Sequence, residues 1–65
     1  LEPGHPDLAK AQLGLGFCLF ELGRDQEAEA LLREGRATLA AQAGPRDELV
    51  RQADEQLAAL AARRR

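Results

Sequence analysis

Apolar residues recur every three or four positions in three separate stretches of this 65-residue chain. Residues with that spacing share one face of an α-helix, so each stretch is typical of an amphipathic helix. Between the stretches lie Gly23 and the pair Gly44-Pro45, and such residues commonly end helices. The pattern predicts three helices, over residues 6–22, 25–42 and 47–64.

The first predicted helix is apolar on two sides. One stripe is expected to face the core, and it consists of Leu8, Ala11, Leu15, Cys18, Leu19 and Leu22. Leu13, Phe17 and Phe20 lie roughly opposite Leu15 and make a second apolar face. A helix with two apolar faces is expected to have two neighbours.

The other two predicted helices each have a single apolar face. In the second helix this face is formed by Ala28, Leu31, Leu32, Gly35 and Leu39, and in the third by Leu49, Val50, Ala53, Leu57 and Leu60. Asp25 and Asp47 are the predicted N-caps, because a short carboxylate can accept hydrogen bonds from the first turn. Arg63, Arg64 and Arg65 are expected to form a solvated tail that complements the helix dipole.

The composition points to an all-α fold. The chain has one Val, one Thr and no Ile, Tyr or Trp, whereas strands are enriched in β-branched and aromatic residues. Its length suits one domain, over residues 1–65.

The net charge and the cysteine content indicate which classes of partner and which cellular compartment are expected. A net charge of −2 favours neither nucleic acid nor an acidic membrane as a partner. Cys18 is the only cysteine, so no internal disulfide can form, which suits a reducing compartment and predicts a cytoplasmic location. No apolar run approaches the ~20 residues that span a bilayer.

Residues with catalytic chemistry are few and isolated. His5 is the only His, Cys18 is expected to be a small core residue, and the chain has no Ser. No Cys-x-x-Cys, His-Glu-x-x-His or Gly-rich phosphate loop is present. Since an active site needs several converging polar groups, we expect no catalytic residue, no metal site, no cofactor and no enzymatic activity.

The chain contains a weak internal repeat. A shift of 42 residues places Leu15 on Leu57 and Ala11 on Ala53. Leu8 then falls on Val50, so apolar and small positions coincide. Self-similarity at a fixed period is the sequence signature of repeat architectures.

A second pattern supports the repeat. Gln12-x₂-Leu15-Gly16-x₂-Leu19 is followed by Ala28-x₃-Leu32, which resembles the tetratricopeptide signature W-x₂-L-G-x₂-Y…A-x₃-F. The period and the opening "GHPDLAKA" are similar to the 42-residue variant typified by kinesin light chain. Gln12 stands where an aromatic is common, Leu19 replaces Tyr, and Gly4 replaces the Asp of an Asp-His-Pro turn.

The resemblance implies a fold and a function. It implies an α–α superhelix, built here from one helix–turn–helix and a capping helix, that acts as a protein–protein interaction or scaffolding module. Gly16 would be the small residue at which the two helices cross, next to Ala28. The groove candidates that it implies are Lys10, Leu13, Phe17, Phe20 and Glu21.

Several roles for this groove face stay open. Because Lys10 is the only Lys and there is no Asn, an apolar or helical protein partner fits better than an acidic C-terminus. The face could instead pack on an adjacent repeat of the same chain, or pair two copies in a homodimer. The module could also be a regulatory tail of a bacterial signalling enzyme, such as a serine/threonine kinase.

Overall fold

Three α-helices and no strand make up residues 6–63, the part of the chain that a computed structural model describes; for Pro6 and Asp7 it describes the backbone alone. They are α1 (Pro6–Glu21), α2 (Asp25–Ala43) and α3 (Glu48–Arg63). The all-α prediction is confirmed, and each predicted bound lies within one residue of the observed one. His5, Arg64 and Arg65 lie outside the described residues.

A glycine turn reverses the chain between α1 and α2. Gly23 has φ of +79°, a conformation that costs a residue without a Cβ little. Its N–H donates to the Phe20 carbonyl at 3.1 Å, and the Arg24 N–H donates to the Leu19 carbonyl at 2.9 Å. These two bonds define a Schellman motif, which satisfies the last carbonyls of α1. The tight turn returns α2 antiparallel to α1.

The second turn uses a glycine and a side-chain cap. Gly44 has φ of +96°, and its N–H donates to the Ala40 carbonyl at 3.0 Å. Asp47 Oδ1 accepts a hydrogen bond from the Leu49 N–H at 2.9 Å, which confirms the predicted N-cap of α3.

The N-cap predicted for α2 is wrong. Asp25 is the first helical residue, and Arg24 takes the cap position without a side-chain hydrogen bond. The carboxylate of Asp25 accepts a hydrogen bond from Arg63 Nη1 at 2.7 Å instead. The first backbone hydrogen bond of α2 runs from the Ala28 N–H to the Arg24 carbonyl at 2.9 Å, so the backbone places Asp25 one residue inside the helix.

Helices α1 and α2 approach closely at two glycines. A Cβ on Gly16 would lie 2.9 Å from both Cγ and Cδ2 of Leu32. A Cβ on Gly35 would lie 2.9 Å from Leu13 Cγ and 3.0 Å from the Ala9 carbonyl oxygen. The predicted helix crossing at Gly16 is confirmed, but the residue that fills the space is Leu32 and not Ala28.

All three helices contribute to one core. The apolar faces predicted for α2 and α3 are confirmed, since every member is buried or half-buried. The buried apolar residues are Ala9, Leu13, Leu19, Ala28, Leu32, Leu39, Val50, Ala53 and Leu60.

The stripe of α1 predicted to face the core is only partly right: Leu19 is buried in the core and Leu8 is half-buried, but the other four members are exposed. Leu15 is 53% exposed and Leu22 73% exposed, and Ala11 and Cys18 are exposed as well. The opposite side, which carries Leu13, packs inward. The close crossing accompanies this orientation, because Gly16 receives Leu32 of α2 while Leu13, on the same side of α1, lies over Gly35.

The last turn of α3 is held by charge and by an aromatic ring. Arg63 donates to Asp25 of α2, and its guanidinium lies 4.1 Å from the centroid of the Phe20 ring of α1. A second pair joins α2 to α3, where Arg36 Nε contacts Asp54 Oδ1 and Arg36 Nη2 lies 3.5 Å from Asp54 Oδ2. Arg63 thus contacts both other helices; as predicted it is an exposed cation in the last turn of α3, but it also pairs with Asp25, which the sequence did not predict.

The crossing predicts opposite effects for two alanine substitutions in α1. Gly14→Ala should raise the free energy of unfolding by about 0.5–1 kcal/mol, since nothing lies within 4 Å of the added Cβ and Ala favours helix. Gly16→Ala gains the same propensity but overpacks against Leu32, a fully buried side chain, at a cost of about 1–3 kcal/mol.

Urea unfolding followed by circular dichroism measures both variants. The midpoint should rise for Gly14→Ala and fall for Gly16→Ala. Equal shifts of the same sign would contradict the close crossing.

Candidate functional site

Among the described side chains, those of residues 8–63, no group of three His, Cys, Asp or Glu is placed to hold a metal ion. An open surface depression of about 420 Å³ lies along the α2–α3 turn and the first half of α3. Its lining residues are Arg46, Glu48, Arg51, Gln52 and Glu55. Its two cations and two anions, all exposed, balance in charge.

An uninterrupted apolar surface runs along the solvent side of α1. It consists of Ala11, Gly14, Leu15, Cys18 and Leu22, all exposed, and we refer to it as the outer α1 face. At about 100° per residue these five positions fall within an arc of roughly 100°. No charged residue lies inside that arc between positions 11 and 22. A stripe of this kind has the width of a surface that a neighbouring helix covers.

Small residues keep the centre of the outer α1 face low. Gly14 has open space where a Cβ would be, and Ala11 and Cys18 project only a short way from the helix. Leu15 and Leu22 stand out on one side of them. Because the distance between helix axes depends on the side chains at the contact, a second helix can approach this strip closely.

The predicted groove residues divide into two groups. Lys10 and Glu21 are exposed and lie, with the half-buried Phe17, along one edge of the outer α1 face. Leu13 is fully buried under Gly35, and Phe20 packs on the core beneath the Arg63 guanidinium. The structure therefore brings three of the five together at the surface. The expectation that Leu13 is open to a ligand is wrong.

Sequence reasoning missed the exposure of Leu15, Cys18 and Leu22. Cys18 was expected in the core, but its side chain is exposed and its thiol is free. The signal that could have found this is Gly16, which lies on the same side of the helical wheel as Leu13. A small residue alone does not identify the inner side, since Gly14 and Ala11 lie on the outer one; the signal is that the tetratricopeptide pattern assigns the close contact to Gly16 and not to Gly14.

The apolar surface does not make α1 a membrane span. None of the three helices in residues 6–63 combines the length and the hydropathy needed to cross a bilayer.

No protein-family model, no curated protein and no solved structure matches the chain. The tetratricopeptide resemblance therefore rests on the signature residues and the 42-residue period of the sequence.

The exposure of Cys18 can be tested by thiol labelling. We expect a thiol reagent such as Ellman's reagent to modify the folded chain within about a factor of ten of its rate in urea, since exposed groups react without global unfolding. Protection of a hundredfold or more would instead place Cys18 in the core and contradict the assignment of the outer α1 face.

Proposed function

We propose that this chain is a protein–protein interaction and scaffolding module of tetratricopeptide type that acts in the cytoplasm. The observation that supports it is the outer α1 face, where Leu15 and Leu22 are the large apolar side chains left exposed among the described residues. Contiguous exposed apolar surface with a polar rim is characteristic of interaction sites.

The chemistry of the outer α1 face favours a protein partner. Its centre is apolar and uncharged, which suits a leucine- or alanine-bearing helix better than a phosphate backbone. Lys10 and Glu21 stand 11 residues apart at one edge, about 16 Å along the helix. With opposite charges at its two ends, this edge favours one orientation of a bound helix.

The single free thiol agrees with the proposed location. Cys18 lies exposed within the apolar surface, so an oxidising compartment would favour disulfide-linked pairs of chains through the same face. The cytoplasm keeps such thiols reduced and leaves the surface available.

The proposed function is tested by isolating a protein that binds the chain and comparing its affinity for the wild-type chain and for variants of the outer α1 face. A protein retained from an extract by the immobilised chain would be purified, and its Kd for the free chain measured by calorimetry. The double variant Leu15→Gln/Leu22→Gln should weaken binding tenfold or more, because it removes two exposed apolar anchors without touching the core.

The matched control is Arg33→Gln, on the exposed side of α2. It should change the Kd by less than twofold, and circular dichroism should be unchanged in all variants. A partner whose affinity does not depend on Leu15 and Leu22, or the absence of any retained protein, would contradict the proposal.

A further inference from the structure

Helix α3 shows how a helix docks on the α1–α2 hairpin. Val50, Ala53 and Leu60 are fully buried against it, and Leu57 is half-buried beside them. The other side of α3 is exposed; it carries Arg51, Glu55, Ala58 and Ala62. Helix α3 therefore has one docking face and one solvent face.

The 42-residue shift places three of the five residues of the outer α1 face on the docking face of α3; Gly14 falls on the half-buried Gln56, and Leu22 falls on Arg64, outside the described residues. Ala11 falls on the buried Ala53, and Leu15 falls on the half-buried Leu57. Cys18 falls on the buried Leu60. At these three positions the exposed part of α1 thus has the residue pattern of the part of α3 that is covered.

The remaining side of each helix agrees with this mapping. The α1 residues that face α2 are Ala9, Leu13, Gly16 and Phe20, and the shift places them on the exposed side of α3. That side of α3 is polar or small because no helix follows it in the described structure. Helix α1 therefore has the face that holds its own hairpin and, in addition, the face with which α3 docks on a hairpin.

We propose that the outer α1 face docks on a second antiparallel two-helix hairpin, in the way that α3 docks on α1–α2, and that this hairpin carries a basic residue where the present one has Asp25. This rests on the proposed interaction function and specifies the partner's architecture and charge.

The charge requirement follows from the ion pairs that hold α3. Asp54 pairs with Arg36, and Arg63 pairs with Asp25. The residues 42 positions earlier are Gln12 and Glu21. Glu21 would thus meet the start of the partner's second helix at the place where Arg63 meets Asp25, so a cation there is complementary and a carboxylate is repulsive.

The same comparison argues against a second copy of this chain as the partner. Its hairpin would set Asp25 against Glu21, and the docking surface of that hairpin is already covered by its own α3. A symmetric contact between two α1 helices is also small. Sixteen residues make a strip of about 24 by 10 Å, or roughly 240 Å², against about 800 Å² per partner in a stable interface.

The test uses a tandem protein in which residues 1–42 of the sequence directly precede the complete 65-residue chain, so that the 42-residue spacing is preserved. The leading segment carries Cys18→Ser, so that the only thiol lies on the outer α1 face of the complete chain. Three versions differ at Asp25 of the leading segment, which is left unchanged, neutralised by Asp25→Asn or reversed by Asp25→Arg.

We expect the tandem with Asp25→Arg to protect Cys18 from Ellman's reagent by tenfold or more relative to the 65-residue chain. Protection should fall in the order Arg, Asn, Asp, and the differences should shrink in high salt because exposed charge pairs are screened. As a reciprocal control, Asp25→Arg in the α2 helix of the complete chain should lower its urea midpoint, since it replaces the partner of Arg63 with a like charge.

Two results would overturn the inference. If Cys18 reacts as fast in all three tandems as in the 65-residue chain, the outer α1 face does not dock on such a hairpin. If protection does not follow the charge at position 25, the basic residue assigned to the partner is wrong. Neither result contradicts the proposed interaction function, which is tested separately by the dependence of partner affinity on Leu15 and Leu22.

Discussion

The close approach of α1 and α2 at two glycines is the constraint on which the rest of the structure depends. Gly16 of α1 makes room for Leu32 of α2, and Gly35 of α2 makes room for Leu13 of α1. Each helix thus inserts a leucine over a glycine of the other, which suits the antiparallel arrangement set by the turn at Gly23. This reciprocal packing turns the Gly16 side of α1 inward, and so leaves Leu15 outside.

Helix α3 depends on apolar burial for its stability and on charge for its orientation. A fully buried Val or Leu side chain contributes about 1.5–3 kcal/mol, so Val50 and Leu60 outweigh the ion pairs. The Arg63–Asp25 and Arg36–Asp54 pairs are partly exposed, and pairs of that kind contribute about 0–1 kcal/mol each. The contribution of these ion pairs is to the orientation of α3, because they join the end of α3 to the start of α2.

The sequence predicts the fold well wherever a helix has a single apolar face. The faces of α2 and α3 are predicted correctly because each has polar residues on its other side, so period and burial give the same answer. Gly16 is also assigned correctly as the crossing residue. The cap predicted at Asp47 is right, whereas the backbone of α2 has Arg24 as its cap residue, so that Asp25 lies in the first turn and pairs with Arg63, 38 residues away in the chain.

The candidate site is the part that period alone could not predict. Helix α1 is apolar on two sides, and periodicity cannot choose between the Leu13 side and the Leu15 side. Only the space available at Gly16 and Gly35 makes that choice, and space is a property of the pair of helices. The exposed stripe is therefore a consequence of packing; the 42-residue shift already relates it to α3 in the sequence, but the structure is needed to show that the one face is exposed and the other buried.

The side of α1 that faces α2 is tested most directly by the NOEs between methyl and Hα protons of the 65-residue chain. A soluble paramagnetic agent, added in a second experiment, reports which methyl groups are exposed. We expect NOEs from Gly16 Hα to the Leu32 methyls, together with strong paramagnetic broadening of the Leu15 and Leu22 methyls and little of the Leu13 methyls. NOEs between Leu15 and residues of α2, with Leu13 broadened instead, would show that α1 is turned the other way and would contradict the close crossing.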